Sequence, residues 1–239
     1  MMEHCNAHIT SPLGLSVADA SLWKSGKWLL RNVAFEVPAG SFVVLAGPNG
    51  AGKSTLLRWI AGLLLPQDGW LSSGSRCLKS GETGKDGKLA YLGQALIPSA
   101  ELTVNEFLSL SGEQNSALKA RFELAELGET SLLKLSGGQW QRVRLAQCLS
   151  RDAALVLLDE PETYLDRRWR NILFDILNER RARGDIVVVS HHRPQEVFGV
   201  ASHWLGLRDG EMMFFERQAG VFPGSLMSCL FLGKMLDSP

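Results

Sequence analysis

Phe42-Val43-Val44-Leu45-Ala46-Gly47-Pro48-Asn49-Gly50-Ala51-Gly52-Lys53-Ser54 is the stretch on which the fold turns. Its first five residues are apolar without alternation, as in a strand covered on both faces, and Thr55 to Leu65 reads as a helix. Between the two, Gly47-x-x-x-x-Gly52-Lys53-Ser54 has the spacing of a phosphate-cradling loop. Its glycines let the backbone curl so that amide N–H groups converge on phosphate oxygens, and the helix N-terminus adds favourable charge. Lys53 offers a point charge to the β- and γ-phosphates, and Ser54 a hydroxyl to Mg2+. A bare glycine-rich turn is the competing reading, and the strand before it and the helix after it weigh against that.

Two more apolar runs, Leu155 to Leu158 and Ile186 to Ser190, read as parallel strands of the same α/β sheet. Each ends in chemistry: Asp159-Glu160 after one, His191 after the other. Ligands of open α/β sheets gather at such carboxyl ends. Adjacent residues on a strand point oppositely, so the two acids can divide the work. Asp159 would hold Mg2+ through water, and Glu160 would polarise an attacking water as general base. Leu15 to Pro38 alternates around the turn Lys24-Ser25-Gly26-Lys27 and reads as antiparallel strands. Leu165 to Gly184 reads as a helix, with Trp169, Ile172, Leu173, Ile176 and Leu177 on one face. Gly74 to Lys88 reads as an exposed loop or hairpin, and Leu102 to Lys134 as an inserted helical lobe. Leu135-Ser136-Gly137-Gly138-Gln139 opens a further helix through Leu149, a second helix start with exposed amides and a hydroxyl.

The 239 residues, 45% of them hydrophobic and 21% charged, supply a full core and exclude global disorder. Lys+Arg 25 against Asp+Glu 25 leaves no basic excess, so no nucleic-acid partner is expected. Cys5, Cys77, Cys148 and Cys229 have no metal-ligand spacing and read as reduced thiols. No signal peptide is read in Met1 to Gly14, and no apolar run is long enough to span a bilayer. Gly224 to Leu236 reads as a packed terminal helix. Any membrane-spanning part would come from another subunit.

Together these motifs resemble the nucleotide-binding subunit of ATP-binding-cassette (ABC) transporters over Leu15 to Gly210. Gly47, Pro48, Asn49, Gly50, Ala51, Gly52, Lys53, Ser54 and Thr55 are similar to the Walker A loop and the start of its helix. Leu155 to Asp159 resembles Walker B, with Glu160 at the catalytic glutamate. Ser136, Gly137, Gly138 and Gln139 resemble the signature motif, and Thr163-Tyr164-Leu165-Asp166 the D-loop. Tyr91-Leu92-Gly93-Gln94 resembles the Q-loop, which places Gln94 where Mg2+ and the attacking water are sensed. His191 stands at the switch histidine. Trp23 stands where the family stacks an aromatic on adenine, with Trp28 as the substitute. Two departures are visible: Gly93 where the family often has Pro, and His192 where it usually has Asp.

The resemblance implies a P-loop NTPase (RecA-like) core with an antiparallel β subdomain and a helical subdomain at about 95–135, all within residues 15–215. A short extension, 216–239, would follow. It implies an ATPase using ATP and Mg2+ (held by Ser54, Gln94 and Asp159), with Glu160, His191 and Gln94 catalytic. Two copies, or a pseudo-symmetric heterodimer, would sandwich two nucleotides. Integral-membrane permease subunits would be the partners, on the cytoplasmic face of the membrane. For the cargo, Asp159 to Asp166 and Trp140 to Ala146 resemble iron-chelate and vitamin B12 importer subunits, so metal-chelate import is expected first. The short lobe resembles haem-type exporter subunits, which come second. A soluble ABC ATPase of translation or repair, a P-loop kinase and a degenerate nucleotide-binding regulator are the rivals. The kinase would not need Leu135 to Gln139, and the regulator would not keep Glu160 and His191.

Overall fold

The computed structural model describes residues 14–64, 68–73, 76–78, 89–94, 97–98, 101–111, 116–220 and 223–232. Its strands are β1 (Leu15–Lys24), β2 (Lys27–Val37), β3 (Phe42–Ala46), β4 (Asp68–Ser73), β5 (Arg76–Leu78), β6 (Leu89–Leu92), β7 (Leu155–Asp159), β8 (Ile186–Ser190), β9 (His203–Arg208) and β10 (Glu211–Arg217). Its helices are α1 (Lys53–Ile60), α2 (Val104–Ser109), α3 (Ser116–Arg121), α4 (Gly137–Leu149), α5 (Arg167–Ala182) and α6 (Gly224–Leu232).

The strands form one sheet in the order β5-β4-β1-β2-β10-β9-β3-β8-β7-β6. Strands β9, β3, β8, β7 and β6 run parallel. Strands β1, β2, β4 and β5 form an antiparallel arm. A single parallel pairing, Glu211 with Arg31, joins β10 to β2. Strands β3, β7 and β8, the three expected from apolar runs, are buried at every position.

Alternation along these strands builds two cores. Phe42, Val44, Val156, Leu158, Val187 and Val189 face one side, under α4 and α5. Val43, Leu45, Leu155, Leu157, Ile186 and Val188 face the other, against Leu56, Leu57, Trp59 and Ile60 of α1. The result is a sheet with helices on both faces, which leaves its strand ends as the open edge where chemistry can gather.

Helix α1 stops sooner than the sequence implies. The chain turns at Gly62, which has φ 71° and donates its N–H to the Trp59 carbonyl. Helix α5 matches its expected span. Asp166 caps it by accepting the Trp169 N–H at 3.0 Å, and Gly184, with φ 101°, follows its end.

The inserted lobe is less helical than expected. Its described part holds α2, α3 and 3₁₀ turns at Ala125–Leu127 and Leu132–Lys134. Glu123 takes a left-handed φ of 50° after α3 and ends the helical run there. Even so, the apolar positions Val104, Leu108, Leu118, Phe122, Leu124 and Leu132 all bury with α4. Of the expected loop at Gly74 to Lys88, only β5 is described. The N-terminal stretch with Cys5 and the end of the terminal helix also lie outside the described residues. Strand β10 runs through Arg217, across the expected boundary at 216, and Met227 and Leu230 of α6 are buried in the main core.

Candidate functional site

The loop between β3 and α1 is shaped by close backbone crossings. A Cβ on Gly47 would stand 2.2 Å from the Leu207 carbonyl oxygen, and one on Gly52 would stand 2.9 Å from that of Leu29. Glycine is required at both because other backbone occupies the side-chain space. Lys53 is buried and curls back, its Nζ donating to the carbonyls of Gly47 (2.8 Å) and Pro48 (2.9 Å). Burial lowers its pKa, while the nearby carboxylates of Glu160 and Asp159 act the other way.

Asn49, Gly50, Ala51, Gly52, Lys53, Ser54 and Thr55 line a cleft of about 280 Å³ together with Gln94, Glu160 and His192. Four segments, following β3, β6, β7 and β8, therefore meet at one set of strand ends.

Asp159 is buried at the end of β7. Its Oδ1 accepts from the Ser190 hydroxyl at 2.7 Å, and its Oδ2 is buried without a hydrogen-bond partner. An orphaned carboxylate oxygen suits a hard cation that takes oxygen ligands, although Asp159 itself does not line the cleft with Ser54 and Gln94. Among the described residues no group of three His, Cys, Asp or Glu could hold a metal alone. The donors fit a cation that draws the rest of its ligands from water or phosphate, as Mg2+ does.

Glu160 has a left-handed φ of 51°, and its N–H donates to the Ser190 hydroxyl at 2.9 Å. One serine thus fixes both members of the acid pair. The Glu160 carboxylate turns into the cleft, where its Oε2 lies 2.7 Å from His192 Nε2.

The histidine expected at the cleft was His191, but His192 lines it. His191 is only 1% exposed. Its backbone N–H donates to the Leu45 carbonyl beside the phosphate loop, and its Nδ1 accepts the Arg193 N–H at 2.9 Å. The neutral ring then carries its proton on Nε2, which is buried without a hydrogen-bond partner, 3.5 Å from Glu162 Oε1. His192 escaped the sequence reading as a site residue. Its one signal was a second histidine where the resembled family usually has Asp.

Trp23 and Trp28 face each other across the β1–β2 turn, edge to face at 5.1 Å, both about two-fifths exposed. Neither lines the cleft. Ser136, Gly137, Gly138 and Gln139 also lie outside it. They form a capping box on α4: the Ser136 Oγ accepts the Gln139 N–H at 3.3 Å, and the Gln139 Oε1 accepts the Ser136 N–H at 2.8 Å. Any phosphate these four groups bind must be reached from outside the chain's own cradle.

Two contacts of α4 were invisible in the sequence. Gln141 donates its Nε2 proton to the Pro161 carbonyl at 2.8 Å, and Arg144 donates to the carbonyls of Gly93 (2.7 Å) and Gln94 (3.0 Å). Their partners are main-chain oxygens, which no residue pattern announces.

The sequence profile described as "ABC transporter" matches residues 30–163. The cytochrome c biogenesis ATP-binding export protein CcmA of Paramagnetospirillum magneticum is 37% identical over 180 residues, covering 71% of this chain and 83% of that protein. The arabinose import ATP-binding protein AraG of Mannheimia succiniciproducens is 35% identical over 201 residues, covering 77% of this chain. This chain spans 40% of that relative's length. Among solved structures, an ATP binding subunit of an ABC transporter superposes with a TM-score of 0.81 at 26% identity, covering 90% of this chain and 98% of the other. A dimeric ATP-binding cassette in a post-hydrolysis state with ADP and Pi superposes with a TM-score of 0.74 at 26% identity, covering 87% and 100%.

Proposed function

The chain belongs to the ABC transporter family, and on that premise we propose that it is the ATP-hydrolysing subunit of a membrane transporter, working as a dimer. One observation carries this reading. Two of the chain's helix starts follow a glycine-rich turn with a hydroxyl or cation, at Lys53 and at Ser136, and of these two only the one at Lys53 lines the cleft. A nucleotide held between two copies would use both. The dimeric cassette with ADP and Pi supports that arrangement.

In this reading Lys53 exchanges its two carbonyl partners for phosphate oxygens. Glu160 takes a proton from the water that attacks the γ-phosphorus, the bond to the bridging oxygen breaks, and ADP and phosphate result. His191 donates its Nε2–H as a hydrogen bond to a terminal phosphate oxygen once its ring leaves Glu162. Ser54, Gln94 and Asp159 would hold Mg2+, which would neutralise phosphate charge. Trp23 would stack on adenine, with Trp28 edge-on behind it.

No helix among the described residues is long and apolar enough to cross a membrane. In this reading the spanning partner is a separate permease, with this subunit on its cytoplasmic face. For the cargo, export of the cytochrome c biogenesis type has better support than metal-chelate import. That relative is matched over 83% of its own length, and the stretch from Gln94 to Ser136 is short.

The test is Glu160→Gln. The variant should bind ATP as the wild type does, lose about 100-fold or more in turnover, and accumulate a dimer on size exclusion with ATP. Undiminished turnover would remove Glu160 from the chemistry. Co-purification with a multi-span permease tests the transport assignment.

A further inference from the structure

We infer that Arg144 is a positioning residue that ties the Gln94 turn to α4 and, through Gln141, to the loop that carries Glu160; this rests on the hydrolysis proposed above. The chain of contacts is continuous. Arg144 Nη2 donates to the carbonyls of Gly93 and Gln94 at 2.7 and 3.0 Å. Its Nη1 donates to Gln141 Oε1 at 2.9 Å, and Gln141 Nε2 donates to the Pro161 carbonyl at 2.8 Å. Gln141 is 1% exposed, so water does not compete for its amide. Pro161 follows Glu160 directly, and Glu160 is itself held by Ser190.

The chemistry of the parts explains why an arginine stands here. Guanidinium presents a planar fork of donors in fixed geometry, so one side chain can hold a two-carbonyl turn and an amide together. The turn needs such a holder. Gly93 has no side chain of its own to anchor, and Gln94 is exposed in the cleft.

The far end of the strut is Ser136. A helix is stiff along its axis, and the eight residue steps from Ser136 to Arg144 span about 12 Å of it. When the Gln94 side chain is drawn to a phosphate or its cation, its carbonyl moves with it. The guanidinium follows, and α4 carries the shift to the Ser136 cap at one end and to the Glu160 loop through Gln141. A filled cleft thus readies both the base and the surface offered to a second copy.

The experiment compares steady-state ATP hydrolysis by the full chain with Arg144→Met, Gln94→Ala and the double variant. Arg144→Met keeps the side-chain stem and removes the donors. It should lower kcat about 10-fold with KM for ATP within about twofold, and the double variant should be no slower than the slower single, because both changes cut one connection. Arg144→Lys keeps the charge but cannot bridge two carbonyls and the amide. It should fold in any event, with kcat reduced about threefold or more and the same lack of additivity with Gln94→Ala. Wild-type kcat in either Arg144 variant, or losses that multiply in the double, would overturn the inference while leaving the hydrolysis reading intact. A wild-type chain that hydrolyses no ATP overturns both.

Discussion

At the scale of single residues, burial of Glu162 and His191 shapes the pH behaviour. Burial lifts the Glu162 carboxyl to about 7 and pushes the His191 imidazole down to about 4. Glu160 and Glu196 reinforce the rise of Glu162, while His192, Arg170 and Arg193 reinforce the fall of His191. The two linkages have opposite signs. Between about 4.5 and 7 the folded chain keeps a proton on Glu162 that the unfolded chain releases, so this group costs stability as pH rises. Between about 6.5 and 4 the unfolded chain protonates His191 first, so that group costs stability as pH falls. Glu162→Gln removes the first cost alone. Its melting temperature should exceed the wild type's at pH 8, and the advantage should vanish below pH 4.5, where Glu162 is protonated in both states. A thermal unfolding series from pH 4 to 8 reads this directly. Neither partner's titration was legible beforehand, since Glu162 and His191 lie 29 positions apart and meet only because β7 and β8 are neighbours.

At the scale of elements, α4 is fastened from several sides. Arg142 donates to the Phe122 carbonyl at 2.8 Å and lies 4.2 Å over the Trp169 ring, joining α4 to the lobe and to α5. Arg180 of α5 is buried and donates to the carbonyls of Leu149, Arg151 and Ala153 at 2.5, 2.6 and 3.2 Å, with Asp185 as its counter-ion at 3.2 Å. It thereby closes the C-terminal end of α4 and the turn into β7. Arg180→Met fills similar space but leaves three carbonyls and one carboxylate short of a donor. The variant should lose about 3 kcal/mol in urea or guanidinium unfolding. Elements with strong local signals were legible: the apolar strands β3, β7 and β8, and α5. The lobe was not legible in detail, because its apolar positions have helical spacing while Glu123 breaks the helix with a backbone angle that spacing does not reveal. Arg180 lies outside the apolar set Trp169, Ile172, Leu173, Ile176 and Leu177, and only the path of the chain after α4 puts it inside.

At the scale of the molecule, the proposed dimer would use a surface that lies outside each copy's own cleft. Ser136→Arg places a bulky cation at the capped start of α4, outside the cleft. ATP binding by the isolated chain should persist, while ATP-driven dimerisation of a Glu160→Gln background should disappear from analytical ultracentrifugation profiles; dimers in the double variant would count against the sandwich. The architecture was legible as strands with loaded ends, but not the way its parts close on one another. Gly47 is backed by Leu207, and Gly52 meets both Leu29 and Gly210, whose own Cβ position would stand 2.9 Å from the Leu29 carbonyl oxygen. The cradle that emerges first from the ribosome is therefore completed by a turn made some 160 residues later. A nascent chain that stops short of β9 carries the whole phosphate motif yet lacks the backing that gives it shape, so competence to grip a nucleotide arrives only when the turn after β9 has been threaded into place.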